Sequence, residues 1–276
     1  MNGNDPVRTA PPAQAVRVVK AHAYGNDFLL APRSDVRNAR DAARRLCDRH
    51  QGIGADGLIL YDITDRAATM ALLNADGSPS ELSGNGLRCL AALVAQNQRL
   101  PAGASIEVAT GAGARILELR EIHGGRFTFR AHMGSPEDLR QVEIPVTGER
   151  VTASVLRMGN PQCVLLGPLP DRARFAHLGP AIATHPMFPA GTNVEFAHVD
   201  APGLVRILIW ERGVGPTTSS GTGTCASAVA AAAHGGAARE VDVAAPGGTQ
   251  HVEWREDGVY LTGWAELIVE GRTISV

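Results

Sequence analysis

Short runs of alternating apolar and polar residues recur along the chain and predict β-strands. In the first half these runs lie at about 16–21, 27–31, 58–62, 68–73, 105–109, 115–120 and 126–132. In the second half they lie at about 151–156, 162–167, 193–199, 204–211, 240–244, 250–254 and 258–263. Helical patterns interrupt the strands at about 35–49, 85–97 and 222–234. The pattern predicts a mixed α/β protein whose two halves have similar layouts.

Two short motifs support this division. Ser83 begins S-G-N-G and Ser220 begins S-G-T-G, 137 positions later, which is about half of the 276-residue chain. Each motif leads into an Ala-rich apolar helix with a cysteine near its start, Cys89 and Cys225. A repeat of this length indicates duplication of a whole domain, because solenoid repeats have periods of about 20 to 50 residues.

Both motifs combine a tight turn with a helix start. Glycine lets the backbone turn sharply, and the first turn of a helix carries unpaired N–H groups and a partial positive charge. If the two halves pack around a pseudo-twofold axis, both helix starts can share one carboxylate, with Ser83 and Ser220 on opposite sides of it. That arrangement suits proton transfer at the neighbouring carbon. The serines can also be simple N-caps, worth about 1 kcal/mol each, and the two interpretations are compatible.

Composition narrows the classes of partner. The chain is 44% hydrophobic and has a formal net charge of −2 without a long basic run, so we expect a small-molecule ligand rather than nucleic acid or a membrane surface. No run of residues approaches the roughly 20 apolar positions of a membrane-spanning helix, and the first residues lack the apolar core of a signal peptide. We therefore expect a loose tail over residues 1–15 and a cytoplasmic location.

Cofactor and metal motifs are weak. The four cysteines are far apart, and neither the nine histidines nor the acidic residues show the spacing of a metal site, so we expect reduced thiols and no metal. The segment GIGADG at 52–57 matches G-x-G-x-x-G, but it follows a predicted helix and leads into a strand, which is the reverse of a dinucleotide site. Neither Ser83 nor Ser220 lies in the G-x-S-x-G pattern of a hydrolase. We expect no cofactor.

Six blocks of sequence together resemble one family. They are KAHAYGNDFLL (20–30), RHQGIGADGLIL (49–60), NADGSPSELSGNGLRC (74–89), GNPQCVLL (159–166), GTNVEF (191–196) and ERGVGPTTSSGTGTCA (211–226). In order and spacing they resemble the diaminopimelate epimerase family, over about residues 16–276. The resemblance implies two pseudo-symmetric α/β domains, each a β-barrel-like sheet around a central helix, with the active site in the cleft between them. The domains would cover 16–133 with about 265–276, and 134–264.

The resemblance also implies a chemistry and a set of binding residues. In this family a thiolate removes the α-proton of an amino acid and a thiol on the opposite face returns one, without pyridoxal phosphate or metal, and a homodimer is possible. By this resemblance, the backbone amides at the two helix starts would bind the α-carboxylate; they belong to Gly84, Asn85, Gly221 and Thr222. Six side chains match positions that bind the rest of the substrate in this family: Asn26, Asn74, Asn160, Asn193, Glu211 and Arg212. Of these, Glu211 and Arg212 match the positions that bind the distal amine and carboxylate. Asparagines at turns can also serve the turn alone.

The chain departs from the family at the reacting positions. By the resemblance, Ser83 and Ser220 occupy the positions of the family's two catalytic cysteines. Gln162 occupies the position of a family histidine, and Pro216 occupies that of a glutamate. A thiol has a reference pKa of about 8.5, whereas a serine hydroxyl needs a strong neighbouring base. Three interpretations stay open. The chain is an epimerase altered to hold substrate without turnover, a divergent enzyme performing a dehydration or double-bond shift, or a binding protein without catalysis.

The remaining thiols offer no replacement for the missing cysteines. Cys89 and Cys225 lie five to six residues beyond the two serines, which is more than one helical turn past the loop. We expect them to be small core residues.

Overall fold

A computed structural model of the chain describes residues 15–80, 83–111 and 113–274, so the predicted tail lies outside the described residues except for position 15. The helices are α1 (Ala39–Cys47), α2 (Gly84–Gln98), α3 (Arg172–Ala183) and α4 (Gly221–His234). The strands of the first half are β1 (Arg17–Ala23), β2 (Asn26–Pro32), β3 (Gly57–Thr64), β4 (Ala67–Asn74), β5 (Pro79–Ser80), β6 (Ser105–Thr110), β7 (Gly113–His123) and β8 (Arg126–Gly134). The other strands are β9 (Glu137–Val146), β10 (Glu149–Arg157), β11 (Pro161–Leu166), β12 (Asn193–Ala201), β13 (Leu204–Glu211), β14 (Gly215–Thr217), β15 (Glu240–Ala245), β16 (Gly248–Arg255) and β17 (Gly258–Arg272).

The strands of the first half form a closed ring. The order of pairing is β1, β2, β3, β4, β6, β7, β8 and β17, and β17 returns to pair with β1. Two neighbours, β2 with β3 and β4 with β6, are parallel. Parallel neighbours need a crossover, which α1 and α2 provide.

The second half repeats this order. Strands β10 to β13, β15, β16 and β17 pair in sequence, and again two neighbours are parallel, β11 with β12 and β13 with β15. Their crossovers are α3 and α4. Strand β17 pairs with β8, and β9, which follows β8, pairs with β10. The fold is therefore the predicted α/β class with two pseudo-symmetric halves, joined through β8 and β17.

Each half has an apolar helix at its centre. Helix α2 is buried over residues 85–95 and lies within a core formed by the first ring, while α4 lies within the corresponding core of the second. Alanine dominates α4, and small side chains let the surrounding strands approach the helix closely. Helices α1 and α3 contribute to two further cores of their own.

The predicted helix at 35–49 is shorter in the structure. Helix α1 begins after Asn38, whose side-chain oxygen accepts a hydrogen bond from the N–H of Asp41 at 3.3 Å. Residues 33–35 instead form a short 3₁₀ turn. The G-x-G-x-x-G segment at 52–57 connects α1 to β3, which is the helix-to-strand order that the sequence indicated.

The prediction of one helix in the second half was wrong, because α3 was missed. This helix contains Pro180 and has Gly179 immediately before it, and both residues argue against a helix interior. Gly179 is needed for packing, since a Cβ at this position would lie 2.7 Å from the ring of Trp210. Asp171 begins α3 as a side-chain cap. Tertiary packing therefore overrides the local preference.

Strand β17 is longer than the predicted run at 258–263. Its second part pairs with β1, with Leu267 opposite Ala21 and Arg272 opposite Arg17. The final segment, which the resemblance assigns to the first domain, thus continues β17 as far as Arg272, and residues 275–276 lie outside the described part. Strand β9 was not predicted, because most of its residues are exposed or half-buried and show little alternation.

The first ring depends on the packing of Phe129, which is fully buried on β8. We expect Phe129→Ala to lower the free energy of unfolding by about 3–5 kcal/mol, because it removes a large apolar side chain and leaves a cavity. Ile116 on neighbouring β7 is 61% exposed, so Ile116→Ala is the control and should change the value by about 0.5 kcal/mol or less. Urea unfolding measures both, and similar losses for the two variants would contradict this view of the core.

Candidate active site

Ser83 and Ser220 are the N-cap residues of α2 and α4. The Ser83 hydroxyl accepts a hydrogen bond from the N–H of Gly86 at 3.1 Å, and that of Ser220 accepts one from Gly223 at 3.2 Å. Both serines have extended backbone and are half-buried. The repeated motif therefore forms the same cap twice, which confirms the expectation of N-caps.

The two caps differ in what lies beneath them. A Cβ on Gly86 would meet apolar carbons, 3.0 Å from Met70 and 3.1 Å from Ile59. A Cβ on Gly223 would lie only 2.5 Å from Oε1 of Glu195. Glycine is required at the second position because the carboxyl group occupies that space. One cap thus rests on an apolar surface and the other on a carboxyl group.

The strand register shows that these two supporting residues are equivalent. Ile59 on β3 is opposite Leu30 of its parallel neighbour, and Glu195 on β12 is opposite Val164. Each is the third paired position of the parallel pair that precedes a central helix. The halves have the same backbone arrangement but place an isoleucine at one site and a glutamate at the other.

A polar cluster surrounds Glu195. One end of the Gln162 side-chain amide lies 3.0 and 3.3 Å from the two carboxyl oxygens of Glu195. The other end of the amide has three polar neighbours: Oδ1 of Asn160 at 2.6 Å, Oγ1 of Thr222 at 3.1 Å and Nδ2 of Asn193 at 3.3 Å. With its nitrogen toward the carboxyl group, Gln162 donates to both oxygens of Glu195 and accepts from Thr222 and Asn193. In this orientation Gln162 therefore links two of the predicted binding residues, Asn193 and Thr222, to a buried acid.

Two carboxyl groups lie close together at this site. Glu195 has no exposed surface, and burial raises its pKa well above the usual range, with a further rise from the negative charge of Glu211. Burial also raises the pKa of Glu211 at the end of β13. A buried carboxyl group without a cation resists ionisation, so this environment favours the neutral form of Glu195.

Arg212 follows Glu211 directly and has a different environment. Its backbone N–H donates to Oδ1 of Asn193 at 2.9 Å, which fixes the orientation of that amide. Its side chain is exposed and donates from Nη1 to the carbonyl of Ala190 at 2.6 Å. Much of the guanidinium therefore has room for an additional acceptor.

A second set of hydrogen bonds lies at the start of α2. Asn85 is buried and donates from Nδ2 to Oδ1 of Asn26 at 3.2 Å, and Asn26 donates in turn to Oδ2 of Asp56 at 2.8 Å. Arg88 donates to Oδ1 of Asn85. The side chains of Asn26 and Asn85 thus bond one another. Gly84, before them, has open space where a side chain would project, since no atom of the described residues outside its chain neighbours and its own helix backbone lies within 4 Å of its Cβ position.

Asn74 and Pro216 stand apart from these clusters. Asn74 is exposed at the end of β4 and donates from Nδ2 to Oγ of Ser78 at 2.9 Å, within its own turn. Pro216 lies in β14 opposite Trp210 and carries no group that could move a proton. No hydrogen bond in the described residues joins the Asn74 side chain to another predicted binding residue.

All four cysteines are free and buried, as expected for reduced core residues: Cys47, Cys89, Cys163 and Cys225. Burial raises the pKa of the Cys89 and Cys225 thiols to about 12. Neither can supply a thiolate near neutral pH.

Three functional candidates were not found from the sequence. Glu195 lies within the block GTNVEF but belongs to no recognisable motif. Arg88 and Gln250 are joined by a hydrogen bond, but they lie 162 positions apart in the sequence. A signal did exist for Glu195, because in a strand it shares a face with Asn193. Nothing local in the sequence indicates the Arg88–Gln250 contact.

The described residues contain no group of three or more His, Cys, Asp or Glu side chains arranged to hold a metal ion. Within the same ranges, no helix has both the length and the apolar character needed to cross a membrane.

Stability should depend on pH through Glu195. Because its folded-state pKa is raised, the unfolded chain releases this proton first, and stability is lost as pH rises above the unfolded value of about 4.3. We expect Glu195→Gln to raise stability at pH 7 by about 1–3 kcal/mol, with the gain shrinking toward pH 4. Urea unfolding across this pH range measures the difference.

Glu253 provides a control of opposite sign. Arg130 donates to its carboxyl group at 2.7 Å and holds its pKa below the usual range, so its contribution is present above about pH 4.3 and is lost as pH falls. Glu253→Gln should therefore lower stability at pH 7 and have little effect in acid. A loss of stability at pH 7 in Glu195→Gln as well would show that Glu195 is ionised and paired.

Comparison with known proteins agrees with the sequence blocks. The family profile described as diaminopimelate epimerase matches residues 18–138 and 154–268. A diaminopimelate epimerase of Desulforudis audaxviator is 42% identical over 276 positions, which cover 92% of this chain and 98% of that protein. One of Heliobacterium modesticaldum is 41% identical with the same coverage.

The fold also has known counterparts. The crystal structure of a hydroxyproline epimerase from Agrobacterium vitis, with bound trans-4-hydroxy-L-proline, aligns over 94% of this chain and 91% of that one, with a TM-score of 0.65 at 16% identity. That likeness concerns the fold. The profile match and the identity to curated relatives over nearly the full length show that the chain belongs to the diaminopimelate epimerase family, whose members are isomerases.

Proposed function

We propose that the protein binds an amino-acid substrate between the starts of α2 and α4, where Ser83 and Ser220 occupy the two acid–base positions of the family, and performs acid–base chemistry on it other than the epimerisation of diaminopimelate. One observation carries the proposal. Two serine-capped, glycine-rich helix starts occupy equivalent positions in a chain of the diaminopimelate epimerase family. The curated relatives are named for the epimerisation of diaminopimelate, an amino acid with two carboxylates.

The α-carboxylate would bind to backbone N–H groups. Each serine hydroxyl accepts from the third residue of its helix, so the cap does not use the two N–H groups before it. In α2 those groups belong to Gly84 and Asn85, and in α4 to Gly221 and Thr222. Helix starts favour anions through these N–H groups and the aligned peptide dipoles. The open space at Gly84 supports access for a ligand.

The distal part of the substrate would lie toward Glu211 and Arg212. A guanidinium can donate two parallel hydrogen bonds to a carboxylate, and the Arg212 side chain is exposed. Asn193 is held by the backbone of Arg212 and contacts Gln162, as Asn160 does. We assign Asn160 and Asn193 to the same binding region. Asn26 and Asn74 are assigned to it by their match to family positions.

Among the three interpretations, the geometry favours a divergent enzyme. Ser220 retains carboxyl groups on its side, since Glu195 lies beneath its cap and Glu211 is near Glu195. The cap of Ser83 rests on Ile59 and Met70 instead. An epimerase altered only to trap substrate would keep the histidine that Gln162 replaces. Acid–base chemistry concentrated on one face suits a dehydration or a double-bond shift better than a symmetrical epimerisation.

The carboxylate site can be tested by calorimetric titration. We expect meso- or LL-diaminopimelate, or another amino acid from a panel, to bind, and the corresponding carboxamide to bind at least about tenfold more weakly. Arg212→Met should weaken binding of diaminopimelate more than binding of an amino acid with one carboxylate. Binding limited to uncharged compounds would contradict the proposal.

Proton transfer can be tested by exchange in deuterated water. We expect negligible exchange of the α-proton of diaminopimelate, because a general acid or base contributes about 10² to 10⁴-fold and an unassisted hydroxyl is a poor one. Mass spectrometry of the recovered amino acid measures the exchange. Rapid exchange in the unchanged protein would show that a base activates the serines.

The double variant Ser83→Cys with Ser220→Cys separates the three interpretations. Continued absence of exchange with intact ligand binding is expected for a divergent enzyme, and product analysis for loss of water or a moved double bond then distinguishes it from a binding protein. Recovery of epimerisation would instead mean that the serines alone block the family reaction. The single variants are the matched controls, since each restores only one side.

A further inference from the structure

Arg88 is a buried cation that has no acidic partner among the described residues. It lies on α2, five positions after Ser83, and is 3% exposed. Its guanidinium carbon is 5.7 Å from the centre of the Tyr24 ring, and a Cβ on Gly263 would lie 3.4 Å from it. The side chain is therefore enclosed between α2, Tyr24 and β17.

Within the described ranges, the hydrogen bonds of Arg88 go to neutral oxygens. Nη2 donates to Oδ1 of Asn85 and to Oε1 of Gln250, the latter at 3.4 Å, while Nε is buried and has no partner in the described residues. No ion pair joins Arg88 to a carboxylate within that part of the chain. Burial lowers its pKa. A guanidinium remains charged in proteins, so this arrangement costs stability.

The same side chain connects the two helix starts. Gln250 donates from Nε2 to Oγ of Ser219 at 3.3 Å and to Oγ1 of Thr224 at 3.4 Å, and these residues flank the first turn of α4. On the other side, Arg88 bonds Asn85 in the first turn of α2. Because a guanidinium only donates, it fixes the oxygen of both amides toward itself and their nitrogens outward.

We propose that Arg88 is the buried countercharge and positioning residue for the anionic group bound at the starts of α2 and α4. The inference rests on the proposed function, since it assumes a carboxylate at that position. The positive charge of Arg88 adds to the partial charges of two helix starts, and a bound anion supplies the negative charge that the described residues do not. Arg88 holds Asn85 and, through Gln250, the start of α4 in the geometry that receives this anion.

The buried cation occurs in one half only, because the position equivalent to Arg88 in the second half has an uncharged residue. Five positions after Ser220 the chain has Cys225, which is fully buried in the core around α4. The fold therefore accommodates a small apolar residue at this point of a central helix. Arg88 is not required by the architecture, so its stability cost needs another explanation.

The test compares Arg88→Met, Arg88→Lys and the exposed control Arg120→Met by calorimetry with meso-diaminopimelate and its diamide. We expect Arg88→Met to weaken binding of diaminopimelate by about tenfold or more and to leave binding of the diamide nearly unchanged. Arg88→Lys keeps the charge and should retain most of the preference for the carboxylate. Arg120→Met should match the unchanged protein with both compounds.

Thermal unfolding supplies a readout that does not need a ligand. Arg88→Met should have a Tm equal to or above that of the unchanged protein, because it removes an uncompensated buried charge. Equal losses for diaminopimelate and its diamide, or a large fall in Tm, would show that Arg88 only supports the fold and would overturn the inference. Failure of the unchanged protein to bind any carboxylate would overturn the proposed function first, and this inference with it.

Discussion

The burial of two helix starts is the constraint on which the structure depends. Helices α2 and α4 are surrounded by strands, and the residues at their starts are buried or half-buried. Each serine cap pairs with one first-turn N–H group, that of Gly86 or Gly223. The unpaired N–H groups and the helix dipoles favour an anion before any charged side chain contributes. The closed strand rings matter for function because they keep these two helix starts in place.

Serine and cysteine serve this cap unequally. A hydroxyl oxygen is a good acceptor for a backbone N–H, whereas a thiol sulfur is a weak one. Serine at 83 and 220 therefore stabilises the helix starts better than cysteine, while it is a much weaker proton carrier near neutral pH. The buried thiols of Cys89 and Cys225 cannot compensate, because burial raises their pKa to about 12. Serine at these two positions therefore favours capping over proton transfer.

The central elements could be predicted from sequence because their signals are local. Alternation revealed most strands, and the S-G-x-G motifs marked the starts of α2 and α4. Features that depend on distant contacts were missed. Helix α3 has a Gly179–Pro180 pair that reads as a break, and only the ring of Trp210 explains the glycine. Barrel closure joins Arg17 to Arg272, and no short window of sequence contains that pairing.

The candidate site was predictable to the same extent. Ser83 and Ser220 were found as caps, and the resemblance supplied ten further positions, whereas Glu195, Arg88 and Gln250 emerged only from packing. The reason is physical: a buried charged residue looks like a surface residue in sequence until its neighbours are known. Glu195 in the second half occupies the position equivalent to Ile59 in the first. Arg88 in the first half occupies the position equivalent to Cys225 in the second.

These two exchanges make the pseudo-symmetric halves electrically different. Beneath the start of α2 the cap rests on carbon atoms, and a fixed cation lies one turn further along the helix. Beneath the start of α4 there is a buried carboxyl group whose pKa is raised by burial, and the residue equivalent to the cation is a thiol. A symmetrical epimerisation needs matched acid–base groups on both faces of one carbon. Because the backbone retains the symmetry and these side chains do not, the two central helices begin in different surroundings, with a fixed cation in the first half and buried carboxyl groups in the second.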